Sequence, residues 1–290
     1  MLEAATTSFQ IHLQVDPGNA ARIYNAAKAL SAPIVAVAAN SPYLFGLDLW
    51  DETRIPVFEQ AVAVGGSERT KRVGFGIRYV EASIFECFEA NLHRYPVLLP
   101  RLFDEPPERL AHLALHNGTI WRWNRPLIGF GEDGAPHLRI EHRVVPAGPT
   151  VADSIANAAL FYGAVHALAA RPDPIEHHLP FTHAHANFYA AARTGLPARL
   201  HWRDGETMSA AELVIGEVLP LAREGLGGLG IDAGEIAHWL GIIADRAASG
   251  QTGAAWQRAW VHRHGPDMQA MTLAYLDRQR GGRPVHQWDI

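Results

Sequence analysis

The sequence predicts an α+β protein in which strands mark the first 150 residues and helices the rest. Residues 11–15 and 137–144 alternate polar and apolar side chains with the period of two that is typical of a strand. Beyond residue 150 the apolar residues recur at the spacing of amphipathic helices. We therefore expect one domain over residues 1–290, with a sheet-bearing part (1–150) and a mostly helical part (151–290) that packs on the sheet.

Composition narrows the classes of function. The 290 residues carry a formal net charge of −5, and no basic excess indicates a nucleic-acid surface. No apolar run reaches the roughly 18 residues of a membrane span, and no charged segment followed by an apolar one begins the chain. We expect a soluble, cytoplasmic protein that binds neither nucleic acid nor membranes. Cys87 is the one cysteine, and its place in the helical pattern IFECFEANL favours a packed thiol over a nucleophile.

The first elements are a strand and a helix. The strand FQIHLQVD places His12 and Gln14 on its polar face. Asp16 and Pro17 are the residue types of a helix N-cap and first turn, so a helix should begin there and run to about Leu30. The apolar run IVAVAAN that follows is either a buried strand or a helix end.

The next segment is less regular. Between residues 43 and 78 periodicity fades and glycines at 65–66 and at 74 and 76 interrupt the chain, which indicates a long functional loop. Helical spacing returns over residues 84–94 and stops before Pro96, and the run DEPPERL is interpreted as a linker. In the second half, capping-box patterns predict helix starts at Thr150/Asp153, Ser209/Glu212 and Asp232/Glu235.

The stretch from residue 116 to residue 145 is predicted to be a hairpin whose turn is GFGEDGAP. In its second arm, Glu141 and Arg143 share a face with other ionisable residues, and the opposite face is apolar. A carboxylate directed toward a divalent cation and a guanidinium directed toward a phosphoryl oxygen would suit this pair. The alternative is a cross-strand ion-pair ladder on a solvated face.

Other candidate residues lie nearby in the sequence. Arg125, in TIWRWNRP, suits a substrate carboxylate or phosphate, or else stacks on tryptophan as surface packing. Asn40-Ser41-Pro42 either binds a substrate or caps a helix, and Arg54 lies in a charged segment typical of solvent-exposed loops. Four histidines in a proline-bounded connection lack the helical spacing of a metal site: His177, His178, His183 and His185.

Several segments together resemble one family. The sequence contains no Walker A motif and no Gly-x-Gly-x-x-Gly pattern after a strand, so side chains and metal would have to bind any phosphate. The resemblance is to the glutamate–cysteine ligase type 2 family, over nearly the whole chain. It is carried by VDPGNAARIYNAAKAL, VAVAANSPYLFG, GTIWRWNRP, LRIEHRVVPAGPTVADSIANAALFYG and NFYAAARTGL.

The resemblance implies a glutamine-synthetase-like fold, in which a curved antiparallel sheet forms an open funnel that holds ATP and Mg²⁺. It implies that ATP phosphorylates the side-chain carboxylate of glutamate and that an amine, that of cysteine in the parent activity, then displaces phosphate. The function predicted in this way is that of an ATP-dependent carboxylate–amine ligase of glutathione biosynthesis.

The resemblance also assigns roles to individual residues. His12 and Glu141 resemble the family's metal ligands, and Arg143 resembles the arginine that steadies the transferring phosphoryl group. Arg125 is assigned to catalysis beside it. The residues assigned to substrate binding are Gln14, Asn40, Ser41, Arg54 and Trp123, the last at a position where some members carry an acidic residue.

One part of the family pattern has no counterpart in this sequence, namely an upstream Glu-x-Glu strand that supplies further Mg²⁺ ligands. We therefore expect a partial ligase domain whose missing strands come from a longer chain, a companion chain or another copy of the protein. The alternative function is a non-catalytic remnant or partner subunit that retains substrate or nucleotide binding, with an exposed sheet edge at residues 11–15. A third hypothesis is a metal hydrolase built on the four histidines.

Overall fold

The computed structural model describes residues 2–63 and 71–290 and confirms the α+β class and the largely helical second half. The strands of the described residues are β1 (Ile11–Val15), β2 (Tyr43–Leu44), β3 (Leu47–Asp48), β4 (Val73–Gly74), β5 (Trp121–Arg122), β6 (Asn124–Phe130), β7 (Pro136–His142), β8 (Arg199–His201) and β9 (Thr207–Ser209). The α-helices in this part of the chain are α1 (Ala20–Ala38), α2 (Arg54–Ala61), α3 (Phe85–Arg94), α4 (Ala111–Gly118), α5 (Val151–Ala170), α6 (Ile175–His178), α7 (Phe181–Thr194), α8 (Ala210–Leu213), α9 (Leu219–Gly228), α10 (Ala233–Ser249), α11 (Gly253–His264) and α12 (Met268–Arg280).

The main sheet is antiparallel, with the strand order β1-β7-β6. Strands β6 and β7 form a hairpin that turns at residues 131–135. The first part of the predicted hairpin is wrong, because residues 116–118 end α4 and β5 pairs with β4 instead. The register places both His12 of β1 and Arg125 of β6 opposite Glu141 of β7. Among the described residues β1 is an edge strand, as expected, but a three-stranded sheet does not confirm the curved sheet of a glutamine-synthetase-like fold, which stays a prediction.

The apolar face of this sheet is buried. Ile11, Leu13 and Ile140 belong to the main hydrophobic core, in which residues of α1 and α5 also lie. Tyr24 of α1 donates a hydrogen bond to the backbone oxygen of Asn124 at 3.0 Å, which ties that helix to β6. The sheet is therefore covered on one side, where His142 stacks on Phe161 of α5, and its other ionisable side chains lie on the opposite side.

Helix α1 is longer than the sequence predicts. It continues through Pro33 to Ala38, so IVAVAAN is a helix end, and the expected stop near Leu30 is wrong. Nearly every residue of α1 is buried, and a helix that is packed on all sides gains enough from tertiary burial to tolerate an internal proline. The predicted N-cap is also wrong, because Asp16 accepts the N–H of Gly18 in a preceding turn and the helix begins at Ala20.

The predicted loop between residues 43 and 78 contains regular structure. It includes the hairpin β2-β3, helix α2 and strand β4, which pairs in parallel with β5. The Gly65-Gly66 part of that prediction lies outside the described residues. Helix α3 is confirmed, and Cys87 within it is buried. The DEPPERL linker contains a 3₁₀ turn and leads into α4. In the half that was expected to be mostly helical, β8 and β9 form a small hairpin.

The capped helix starts of the second half are confirmed. Thr150 and Asp153 form a capping box at α5, and Ser209 and Glu212 form another at α8. Asp232 caps α10 by accepting the backbone N–H groups of Gly234 and Glu235. None of the helices in the described ranges combines the length and apolar character that crossing a membrane requires.

Helices α5 and α9 approach closely at two glycines. A Cβ atom added to Gly225 would overlap the carbonyl group of Gly163, and one added to Gly163 would lie 2.8 Å from the Cα atom of Ala222. The backbones of the two helices are in direct contact here, so an added methyl group could not be accommodated by moving a flexible side chain. Gly227, two residues along α9, has no neighbouring atom within 4 Å of an added Cβ.

Gly225, which lies in the contact, and Gly227, which lies outside it, provide a matched test of helix packing. We expect Gly225→Ala to lower the free energy of unfolding by about 1–3 kcal/mol, because overpacking outweighs the gain in helix propensity. Gly227→Ala should be neutral or stabilising by up to about 1 kcal/mol. Urea denaturation of both variants measures the difference, and equal effects would contradict the close α5–α9 contact.

Lys28 of α1 predicts a pH dependence of stability. Burial lowers the pKa of Lys28 to about 7, against 10.5 for a free lysine. Because the unfolded chain binds the proton more tightly, stability should rise with pH through the window between these values. Relative to Lys28→Met, the wild-type free energy of unfolding should increase by about 1.4 kcal/mol per pH unit between pH 7 and 10. If the free energies of unfolding of the two proteins changed in the same way with pH, Lys28 would not titrate in this window.

Candidate functional site

The polar face of the main sheet is centred on the carboxylate of Glu141. Its Oε2 atom lies 3.0 Å from Nη1 of Arg143 and 3.4 Å from Nη1 of Arg125, and its Oε1 atom lies 3.5 Å from Nε2 of His12. Arg125 also donates to the backbone oxygen of Asn117 at 2.9 Å. Four residues predicted from the sequence therefore meet at one carboxylate, because the strand register places His12 and Arg125 opposite Glu141.

The cluster carries excess positive charge in a buried setting. Glu141 pairs across the strands with His12 and Arg125, as the ion-pair ladder predicts. Glu141 is 4% exposed and Arg143 9% exposed, however, so the solvated face of that prediction is wrong. One carboxylate faces two guanidinium groups, and the Nε atoms of Arg125 and Arg143 are buried without a hydrogen-bond partner among the described residues. Burial lowers the pKa of Arg125, yet arginine stays protonated at neutral pH. A buried cationic excess with unused donors suits an anion such as a phosphate or carboxylate.

Arg143 connects this cluster to an adjoining pocket of about 320 Å³. Arg54, Phe58 and Trp123 line the pocket together with Arg143 and residues of the segment before β1. The guanidinium of Arg143 lies 5.7 Å from the ring centre of Phe58, and that of Arg54 lies 5.7 Å from the ring centre of Trp123. The pocket therefore has two cationic groups against aromatic walls. The arginine that contacts the tryptophan ring is Arg54, not Arg125 as predicted.

Arg54 is buried, and its expected place in a solvated loop is wrong. It begins α2, donates to Oε2 of Glu52 at 2.6 Å and also donates to the backbone oxygen of Val144. Burial lowers the pKa of Arg54 and raises that of Glu52, against the attraction between the two charges. This ion pair holds the start of α2 beside the end of the hairpin, and Arg54 thereby reaches the pocket.

The Asn40-Ser41 turn lies behind this ion pair instead of lining the pocket. Oε1 of Glu52 accepts the backbone N–H of Asn40 at 2.6 Å and the hydroxyl of Ser41 at 3.3 Å. The side chain of Asn40 donates to the backbone oxygen of Ala147 and bonds with Tyr275 of α12. Both residues therefore support Glu52 and Arg54 in this structure, and their predicted contact with substrate stays a prediction.

Gln14 shares the polar face but lies toward its other end. It is paired in register with Arg139 and lines a separate cavity of about 840 Å³ with His137 and Pro136. The Nε atom of Arg139 is also buried without a partner in the described part of the chain. The cationic face thus extends along β7 from Arg143 to Arg139, while Gln14 is not part of the Glu141 cluster.

The residues present offer a partial fit to Mg²⁺. Within residues 2–63 and 71–290, no group of three or more histidine, cysteine or acidic side chains is arranged to hold a metal. Glu141 and His12 supply two donors, and Oε1 of Glu141 accepts no arginine hydrogen bond. Since Mg²⁺ is commonly bound by one or two carboxylates together with substrate phosphates, this pair fits an ion that arrives with a phosphate.

Within the described residues, the four histidines form no group that could hold a metal ion. They belong to α6 and α7, so their predicted place in an irregular connection is wrong. His177 and His178 lie 2.7 Å from the carboxylate of Asp173, whereas His183 stacks on His201 at 4.1 Å. His185 packs against Phe75 at 6.0 Å.

Several residues of the site are not predicted from the sequence. Phe58 forms a wall of the pocket, and Glu52 anchors Arg54, but both lie in a segment interpreted as a loop. Glu59 of α2 accepts the indole N–H of Trp123 at 2.8 Å and the hydroxyl of Tyr189 at 2.7 Å. The Thr6-Thr7-Ser8 run also lines the pocket. In the sequence, the three consecutive hydroxyl residues immediately before a predicted strand could have indicated a polar pocket wall.

A family model described as glutamate-cysteine ligase family 2 matches residues 1–273. A search of curated proteins found no match.

The Glu141 cluster predicts the effect of removing its carboxylate. Glu141→Gln leaves two buried guanidiniums without a counter-charge, so we expect the free energy of unfolding to fall by about 3 kcal/mol or more. Glu81→Gln is the control, because Glu81 pairs with Arg78 at the exposed surface, where such a pair contributes about 0.2–1 kcal/mol. Urea denaturation compares the two variants. An equally small loss in both would mean that Glu141 does not neutralise the arginines.

Proposed function

The chain belongs to glutamate–cysteine ligase family 2, a family of ATP-dependent carboxylate–amine ligases, and on that premise we propose that it joins the side-chain carboxylate of glutamate to an amine. In the proposed reaction the terminal phosphoryl group of ATP is transferred to the carboxylate. The amine nitrogen then forms the amide bond as the bond between carbonyl carbon and phosphate oxygen breaks. The products are the amide, ADP, phosphate and the proton that the amine gives up.

The observation that carries the proposal is the cationic cluster around Glu141 beside the pocket of Arg54 and Trp123. Phosphoryl transfer places negative charge on the equatorial oxygens, and preorganised guanidinium groups in a buried site stabilise that charge without reorganisation. Arg143 belongs to both the cluster and the pocket, so we assign it to the transferring phosphoryl group. Arg125 is assigned to a substrate carboxylate or phosphate next to it.

The other residues of the site have supporting roles in this proposal. His12 and Glu141 would hold Mg²⁺, which would neutralise phosphate charge when bound with ATP. The aromatic walls of Phe58 and Trp123 exclude water, which protects an acyl phosphate from hydrolysis. Arg54 would bind an anionic group of the substrate. Cysteine is the amine of the parent activity and the first one to test.

A second candidate function is binding without turnover, in a subunit that works with a companion chain or another copy. Two observations favour it. The described residues supply two metal donors at the cluster, His12 and Glu141, and β1 is an edge strand that could pair with a further strand. This candidate predicts that ATP with Mg²⁺, or glutamate, raises the melting temperature while no ADP is released.

The ligase proposal predicts ADP and phosphate release when the protein is mixed with glutamate, cysteine, ATP and Mg²⁺. Arg143→Gln should lower kcat/KM by about 100-fold or more, because a charge-stabilising donor is lost. Arg143→Lys should restore activity in part, since an ammonium cannot form the bidentate contact of a guanidinium. Arg199→Gln, at an exposed arginine of β8, is the control and should retain wild-type turnover.

A coupled assay for ADP, with circular dichroism to verify folding, measures these effects. Turnover of Arg143→Gln at the wild-type rate would overturn the role of Arg143. No turnover by the folded wild-type protein, together with thermal stabilisation by Mg²⁺ and ATP, would favour the binding function instead. Neither turnover nor stabilisation would overturn both candidates.

A further inference from the structure

A second pocket, of about 570 Å³, lies among β4, α3, β5 and α7. Among the described residues, it shares no lining residue with the pocket of about 320 Å³ that Arg54 and Trp123 line. The two pockets are nevertheless neighbours, because Phe188 stacks on Phe75 of the second pocket at 4.9 Å and contacts Trp123 at 5.7 Å. Its volume is in the range of sites for small organic molecules. Neither the Glu141 cluster nor the proposed reaction uses this pocket.

Among the described residues, the charged side chains that line this pocket are all positive. Lys71, Arg94 and Arg122 contribute to this part of the lining, and no described aspartate or glutamate does. Arg122 is 8% exposed and forms no ion pair within the described ranges. It donates to Oδ1 of Asn91 at 2.6 Å, and its Nε atom is buried without a partner among those residues. A buried guanidinium that faces no carboxylate is costly, and an anionic ligand would offset that cost.

A further basic side chain, that of Lys28, lies directly behind the pocket wall. Its Nζ atom lies 3.0 Å from the point that a Cβ on Gly76 would occupy, and Nη1 of Arg122 lies 3.7 Å from the same point. Gly76 has a φ of +95°, a conformation that a residue with a side chain rarely adopts. The glycine thus allows the guanidinium of Arg122 and the side-chain nitrogen of Lys28 to converge on the pocket wall.

Aromatic side chains form much of the remaining wall. Phe75, Tyr95, Phe181 and Tyr189 line the pocket, and the rings of Phe75 and Phe181 are 5.8 Å apart. Aromatic rings favour offset-stacked or edge-to-face contacts with another flat ring, and each such contact adds to the gain from burial. The pocket therefore combines a cationic end with flat apolar walls.

We propose that this pocket binds a small molecule in which a planar aromatic ring carries an acidic group, either a carboxylate or a phosphate. The acidic group pairs with Arg122 and Arg94, and the ring packs between the aromatic walls. The site is separate from the ligase reaction proposed above and does not depend on it.

Four probes of similar size test the proposal by isothermal titration calorimetry on the full chain. Benzoate and phenyl phosphate carry both required features, benzamide lacks the charge and cyclohexanecarboxylate lacks the flat ring. We expect the two aromatic anions to bind at least about ten-fold more tightly than the other two, because charge-assisted pairing and ring packing are each lost in one of them. The one of these two anions that binds with the higher affinity shows whether the site prefers a carboxylate or a phosphate. Equal affinity for all four probes, or no binding of any, would overturn the proposal.

Matched variants locate the binding. Thr182→Trp fills the pocket from an exposed position of α7 and should abolish binding, whereas Thr194→Trp, exposed at the end of the same helix, should not change it. Arg122→Gln should weaken benzoate binding by about ten-fold or more. Because Arg122 is buried and could be needed for folding, Arg94→Gln provides the same test at a more accessible arginine. Benzoate binding that survives Thr182→Trp would overturn the assignment.

Arg143→Gln separates this inference from the proposed reaction. The variant should lose ligase turnover and keep benzoate affinity, since Arg143 does not line the second pocket. If Arg143→Gln abolished benzoate binding, the probe would occupy the Glu141 site and the inference would fail. If the wild-type protein showed no turnover but bound benzoate in a Thr182-dependent way, the inference would stand without the proposed function.

Discussion

The buried ion pair between Asp153 and Arg246 holds together helices that are far apart in the chain. Both side chains are almost fully buried and lie 2.7 Å apart. Burial of two charges is costly unless their remaining hydrogen-bonding groups find partners. Most of these groups do here, and the Nε atom of Arg246 is the one that has no partner among the described residues. Asp153 also accepts from Thr150 at the start of α5 and from the backbone of Val285, and Arg246 donates to the backbone oxygen of Val37 at the end of α1. The scaffold beneath the sheet is thereby fixed by one pair of charges.

The site is built on this scaffold through a second buried ion pair, that of Glu52 and Arg54. Glu52 is fully buried, and its two oxygens connect the turn after α1 with the start of α2. Arg54 then bonds to the backbone of the segment after β7. The pocket walls on α2 and the cationic cluster around Glu141 are therefore held in a fixed relative position, as the proposed phosphoryl transfer would require.

The sequence could predict the parts of this arrangement that depend on local patterns. Alternation along β7 located Glu141 and Arg143, and capping boxes located the starts of α5 and α8, because each pattern reflects contacts within a few residues. Helix α2 was missed because its eight residues bury few apolar side chains, so they show little periodicity. The side chain of Asn40 bonds with Tyr275 of α12 and Gln257 of α11, which follow it by 235 and 217 residues. Pro33 is tolerated only because later helices surround α1. No local pattern encodes such contacts.

Helix α1 also has a consequence for how the protein is made. Its buried surface packs mainly against α5 and α7, which begin more than 100 residues later in the chain. A ribosome adds about 5–20 residues per second, so an apolar helix of 19 residues leaves the exit tunnel on the order of ten seconds before its partners. During that interval the helix presents a surface to which chaperones bind, and premature release would expose the chain to aggregation. The same burial that lets α1 support the sheet thus makes the yield of folded protein depend on the order of synthesis.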